Sequence, residues 1–154
     1  MLEVKNLSRG KYFKNVSFQL FEKEILGIYG LQGSGRTELL ESIFGTARID
    51  QGEIFLYGRK INITSSKLAI KNGLAMVPED RRKTGLFSNM DVKENINISN
   101  PKEIAPFGFI NKRKVFEIAK KLVQSLSIKV GSVSQMVKNL SGGNQQKVII
   151  SRWL

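Results

Sequence analysis

Cysteine and histidine are both missing from this chain of 154 residues. Without cysteine there is no disulfide and no thiolate metal site, and a reducing compartment is permitted rather than indicated. Without histidine there is no imidazole metal ligand and no histidine general base. Long apolar runs are missing too, since none approaches the roughly 20 residues that a membrane span needs. The first residues, MLEVKNLSRGKYFKNVSFQL, alternate polar and apolar and are not expected to act as a signal peptide.

Acidic residues are scarce. Asp and Glu number 13 against 25 Lys and Arg, and the net charge is +12. One reading is an anionic partner: nucleic acid, a membrane surface or phosphate. A second is a lysine-rich, solvated surface. A third is that the acidic half of a larger domain lies elsewhere. The basic residues are scattered rather than gathered with aromatics in one patch, so no nucleic acid is expected as a partner.

What is present is ordinary for a globular protein, at 41% hydrophobic and 25% charged residues, with enough chain for one domain with a core. Residues 2–6 and 15–20 alternate as half-buried strands do. Residues 25–29, ILGIY, are apolar throughout, as expected of a strand covered on both faces. Thr37 to Phe44 reads as a helix stopped by Gly45. A short strand is expected over 52–58, and a helix capped by Ser65 or Ser66 and ended by Gly73. LAMV at 74–77 reads as a second buried strand.

Beyond Asp80 the texture becomes helical. Asp91 with Glu94 resembles a capping box. Asn111 is placed to cap a longer helix, whose stripe of Val115, Ile118, Ala119, Leu122, Val123 and Leu126 is read as core. A last helix starts at the serine or glycines of LSGGNQQK. The order predicts an α/β core followed by a helical subdomain.

Residues 30–37, GLQGSGRT, sit between the apolar run at 25–29 and a helix. Phosphate binding needs inward-pointing backbone N–H groups with a helix N-terminus behind them. Gly30, Gly33 and Gly35 allow the close approach. The phosphate-loop pattern G-x-x-x-x-G-K-[ST] has lysine where this chain has Arg36, and Thr37 stands where a hydroxyl would ligate Mg2+. Arg36 keeps the charge, but guanidinium is broad and planar where ammonium is compact. The plainer reading is a strand-to-helix turn with ordinary glycines.

LSGG at 140–143 is the second glycine-rich element. By itself, Ser-Gly-Gly before a helix is a common cap and turn. It is also a second anion-friendly helix start, able to face a nucleotide held by another domain. The phosphate loop, then MVPEDRR, then LSGGNQQK resembles the ordered signature of ABC transporter ATP-binding domains. More narrowly, ILGIYGLQGSGRTELLE, AMVPEDRRKTGLFSNMDVKENI and LSGGNQQKVIISRWL resemble the second of two fused ATP-binding domains in bacterial importers of ribose, galactose, xylose and arabinose, with nucleoside importers as close relatives.

The resemblance implies a P-loop NTPase fold of the ABC type, with an antiparallel β subdomain and a helical subdomain. Gly30, Leu31, Gln32, Gly33, Ser34, Gly35, Arg36 and Thr37 would form the Walker A loop around the phosphates of ATP, with Thr37 on Mg2+. Glu79 falls where the Q-loop glutamine usually senses Mg2+ and the γ-phosphate and meets the permease. Ser141, Gly142 and Gly143 would be the signature motif, closing on ATP held by the opposite domain. Tyr12 or Phe13 would stack on adenine, or else belong to the core.

Three departures from the family pattern are visible: Arg36 for lysine, Glu79 for glutamine and Asn144 for glutamine. The first two alter the domain's own nucleotide site and imply that it is the weaker one. The EDRRK cluster reads either as a solvated loop or as a permease contact through Asp80, Arg81 and Arg82.

The sequence ends inside the signature helix, ahead of any Walker B strand, catalytic glutamate, D-loop or switch histidine. The expectation is therefore a partial ATP-binding domain: a β subdomain and P-loop core over 1–79, Q-loop and helical subdomain over 80–140, and signature helix over 141–154. No catalytic residue and no useful ATPase activity are expected of it alone. Its parallel sheet should expose an apolar edge prone to self-association.

The partners implied are the first ATP-binding domain, the transmembrane permease and, indirectly, a periplasmic or lipid-anchored sugar-binding protein. The implied location is peripheral, at the cytoplasmic face of the bacterial inner membrane. Two other functions remain open on the sequence: a non-transport ABC ATPase acting on nucleic acid or ribosomes, and a regulatory nucleotide-binding module without hydrolysis.

Overall fold

The computed structural model describes residues 1–106 and 108–154. They form two compact units, Met1–Met76 and Val77–Leu154.

In the first unit, β1 (Leu2–Arg9) and β2 (Phe13–Leu20) make an antiparallel hairpin. A second hairpin, β3 (Gln51–Leu56) and β4 (Arg59–Ile61), pairs with it through β1, so the four-stranded sheet runs β2-β1-β3-β4. The alternation of the sequence sets which side chains turn inward. Val4 pairs with Phe18 on one side and Ile54 on the other. Val4, Leu7, Phe13 and Ile54 pack with Leu39 and Ile43 of α1 (Arg36–Ile43) to form the core of this unit. That packing fixes the helix whose N-terminus carries the glycine loop. The helix stops at Gly45, and α2 (Ser66–Lys71) begins with Ser65 accepting from the Leu68 N–H.

The two segments expected as buried strands are not strands. Residues 25–29 and 74–77 join no ladder among the described residues. Ile25 is 97% exposed and Tyr29 96%. An all-apolar strand is held by neighbours at its edges and layers on its faces. Here the sheet consists of β1 to β4 alone, so these segments have neither. The expected apolar exposure is therefore present, but on unpaired backbone rather than on a sheet edge.

In the second unit, a single π turn, Arg81–Gly85, follows Asp80. The Asp80 carboxylate accepts from the N–H groups of Lys83 and Arg82, both at 3.0 Å, and these bonds hold its pKa below the usual carboxylate range. Then come α3 (Val92–Asn97), α4 (Pro101–Ile104), α5 (Lys112–Ser125), a 3-10 turn at Val137–Asn139 and α6 (Gly142–Ser151).

The capping box is complete: Asp91 accepts from the Glu94 N–H and Glu94 accepts from the Asp91 N–H, each at 2.9 Å. Asn111 caps α5. Val92, Ile96, Ala119, Val137 and Val148 centre the core, with Ile118, Leu122, Val123 and Leu126 packed against it, so the α5 stripe is core as expected.

Fully buried Asn95 ties the unit together. Its carbonyl oxygen accepts from Phe87 N–H at 3.0 Å, and its amide donates to the Phe87 and Asp91 carbonyls. Arg152 donates to the Asn95 main-chain carbonyl at 3.0 Å and to Oδ1 at 3.2 Å. Burial of that guanidinium lowers its pKa.

Candidate nucleotide site

Gly33 (φ 80°) and Gly35 (φ 86°) both lie in the left-handed region. Gly35 is the N-cap of α1, and the helix opens with the Leu39 N–H donating to the Gly35 carbonyl at 2.9 Å. The first turn of any helix has N–H groups with no intrahelical acceptor, and they normally take a side-chain cap. Glycine offers none. No side chain of the N-cap residue covers the positive end of α1, the arrangement that suits an outside anion.

The loop ahead of it is closed by a turn in which Ser34 N–H donates to the Leu31 carbonyl at 3.1 Å. The side chains of Ser34 and Arg36 converge on Gly30. A methyl there would lie 2.5 Å from Ser34 Oγ and 3.6 Å from Arg36 Cδ. Leu31, Gln32, Gly33, Ser34, Arg36 and Thr37 are exposed, while Gly35 is buried.

Gly35 is buried by the turn that joins β1 and β2. Any side chain on it would collide with the Tyr12 carbonyl oxygen and approach Phe13 Cβ to 3.6 Å. Of the two aromatics considered for adenine, Phe13 belongs to the core and Tyr12 is 43% exposed. The Tyr12 ring already carries a cation, since the Arg9 guanidinium sits 4.8 Å from its centroid. Arg9 also pairs with Glu41 of α1 at 3.8 Å, which ties the end of β1 to the helix.

Glu79, Ser141, Gly142 and Gly143 belong to the second unit. Glu79 is exposed. The turn that follows it folds onto α6. A methyl on Gly85 would lie 2.7 Å from Ile149 Cδ1 of α6 and 3.3 Å from Pro78 Cγ. Arg81 is turned the same way, for a methyl on Gly142 would lie 2.7 Å from its Nη2. Its Nε is buried with no hydrogen-bond partner. Of the EDRRK cluster, then, Arg81 lies against the first residue of α6, while Arg82 and Lys83 are exposed.

At that helix start Ser141 is the N-cap residue, yet its hydroxyl caps nothing in α6. The hydroxyl instead accepts from Asn144 Nδ2 at 2.9 Å. Among the described residues no three carboxylates, imidazoles or thiols gather to hold a metal.

Three arrangements escaped the sequence reading: Arg9 over Tyr12, Arg81 against Gly142, and Asn144 on Ser141. The spacing of Ser141 and Asn144, three apart at a helix start, was the one available signal.

Residues 13–154 match the family described as ABC transporter. The chain is 48% identical over 155 residues to the ribose import ATP-binding protein RbsA of Clostridium tetani, spanning 100% of this chain and 31% of that protein. It is 49% identical over 145 residues to the xylose import ATP-binding protein XylG of Thermoanaerobacter pseudethanolicus, spanning 94% of this chain and 29% of that protein. The chain therefore spans about 30% of the length of the curated relatives it matches.

Among solved structures, a dimeric bacterial ABC transporter cassette superposes with a TM-score of 0.76 at 23% identity, covering 100% of this chain and 69% of that one. A dimeric cassette bound to ADP and Pi gives 0.75 at 22% identity, with the same coverage. These two establish the fold. With an open-capped glycine loop and a family match over nearly its whole length, the chain belongs to the ABC transporter family.

Proposed function

We propose that this chain is part of the ATP-binding subunit of an importer that couples ATP binding and hydrolysis to uptake of a sugar through a membrane permease. The observation that carries this reading is the glycine loop, whose cap residue Gly35 puts no side chain over the N-terminus of α1. The substrate class follows from the names of relatives that are 48% and 49% identical to it. The same names support a membrane permease and a sugar-binding protein as partners, and the resemblance of the motifs adds a first ATP-binding domain. Among the described residues no helix is long and apolar enough to cross a membrane.

In this reading the backbone N–H groups of residues 30–37 hold the phosphates of ATP, and Arg36 places a positive charge among them. Thr37 would hold Mg2+, which supplies neutralisation of phosphate charge. Glu79 takes the Q-loop position by the same resemblance, with a carboxylate in place of the usual amide. Ser141, Gly142 and Gly143 face ATP on the first domain's loop. The arginine and the carboxylate make the chain's own site the weaker one, and its signature motif completes the stronger.

The test is uptake by the complete importer reconstituted in vesicles. ATP-dependent accumulation of a labelled pentose or hexose is expected. ATP turnover with no accumulation of any pentose or hexose would overturn the sugar assignment.

A further inference from the structure

An N-cap serine ordinarily folds back and accepts a hydrogen bond from the second or third N–H of its own helix. Ser141 does not, although its backbone (φ −61°, ψ 155°) is that of an N-cap. Its Oγ lies on the Asn144 side chain, 2.9 Å from Nδ2. The orientation of that amide is settled by its other end. Asn144 Oδ1 accepts from the Lys129 main-chain N–H at 2.9 Å, and an N–H can only donate. The NH2 end must therefore face Ser141.

Two consequences follow. The Ser141 oxygen already accepts a hydrogen bond from the Asn144 amide, so its own proton points elsewhere. Among the described residues that hydroxyl donates to none, and Ser141 is exposed. The hydroxyl is also held off the first-turn N–H groups of α6, which stay uncapped. A phosphate oxygen accepts and cannot donate, so it needs both arrangements: a hydroxyl presented as donor and helix N–H groups left open.

We infer that Asn144 is a positioning residue for the signature serine: it fixes Ser141 as a hydrogen-bond donor and keeps it from capping its own helix. This inference rests on the reading of Ser141 as a phosphate contact. Without the Asn144 amide, the serine oxygen is free to turn back and compete for the N–H groups that a phosphate would use.

The experiment is a double-mutant cycle on ATPase activity of the complete importer, with Ser141→Ala, Asn144→Ala and the pair. Ser141→Ala is expected to lower kcat about 100-fold, the scale of losing one oriented oxyanion donor. Asn144→Ala is expected to lower it about tenfold, with KM for ATP unchanged, because ATP binds on the opposite loop before the signature closes. In the Ser141→Ala background, Asn144→Ala should have no further effect. Asn144→Asp, which still accepts from Lys129, repeats the comparison if the alanine variant does not assemble. There too the loss should vanish with Ser141→Ala, whereas a pure charge effect would persist.

An equal loss in both backgrounds overturns the inference. So does full activity of Asn144→Ala beside an impaired Ser141→Ala, and this outcome leaves the phosphate-contact reading standing. Full activity of Ser141→Ala overturns that reading and the inference with it.

Discussion

Gly35 is where residue-scale chemistry bears most directly on the phosphate loop. It holds φ 86° and has the Tyr12 carbonyl against it, so a side chain meets both backbone strain and rigid main chain. Gly35→Ala should destabilise the first unit by about 2–3 kcal/mol, the cost of a non-glycine residue in such a region plus the displaced turn. The check is denaturant unfolding of wild type and variant, with a shifted midpoint and unchanged slope. Alanine without effect would mean that the β1–β2 turn does not hold the loop.

The glycines themselves were legible in the sequence, because so few residue types serve an open cap. The direction of Arg81 was not. Two arginines in a polar run are equivalent until the turn at Arg81–Gly85 selects which one faces α6. The same holds for Asn144, whose role depends on the Lys129 N–H brought in from a loop 15 residues away.

At the scale of elements, local rules served the second unit well. The capping box at Asp91, the Asn111 cap and the α5 stripe all stand where the pattern put them, because each depends on neighbours within a few residues. The strands at 25–29 and 74–77 failed for the opposite reason. A strand needs partners distant in sequence, and an apolar run alone does not say that they are present.

Asn95 could not be foreseen either, since a buried asparagine reads as surface until its partners are known. It gives Arg152 and Phe87 their hydrogen bonds inside the core. Asn95→Leu would remove the side-chain acceptor from a buried guanidinium and from the Phe87 N–H. A loss of about 3 kcal/mol is expected, since such orphaned groups carry their full desolvation cost. Chemical unfolding followed by Trp153 fluorescence should show it, and an unchanged midpoint would contradict the role given to this network.

At the scale of the whole molecule, the family and the order of its motifs were readable from the sequence. Two glycine-rich helix starts occur in one chain, each with its cap left open: Gly35 has no side chain and Ser141 is turned aside. Arg36 stands at the first of these starts, and by the inference above Asn144 tunes the second. On the proposed function, this chain contributes to hydrolysis mainly through Ser141, acting on ATP held by another domain. The most direct measurement is ATP turnover by the complete importer with Ser141→Phe or with Arg36→Ala. Ser141→Phe should abolish turnover and Arg36→Ala should leave most of it. Turnover retained with Ser141→Phe and lost with Arg36→Ala would contradict this assignment.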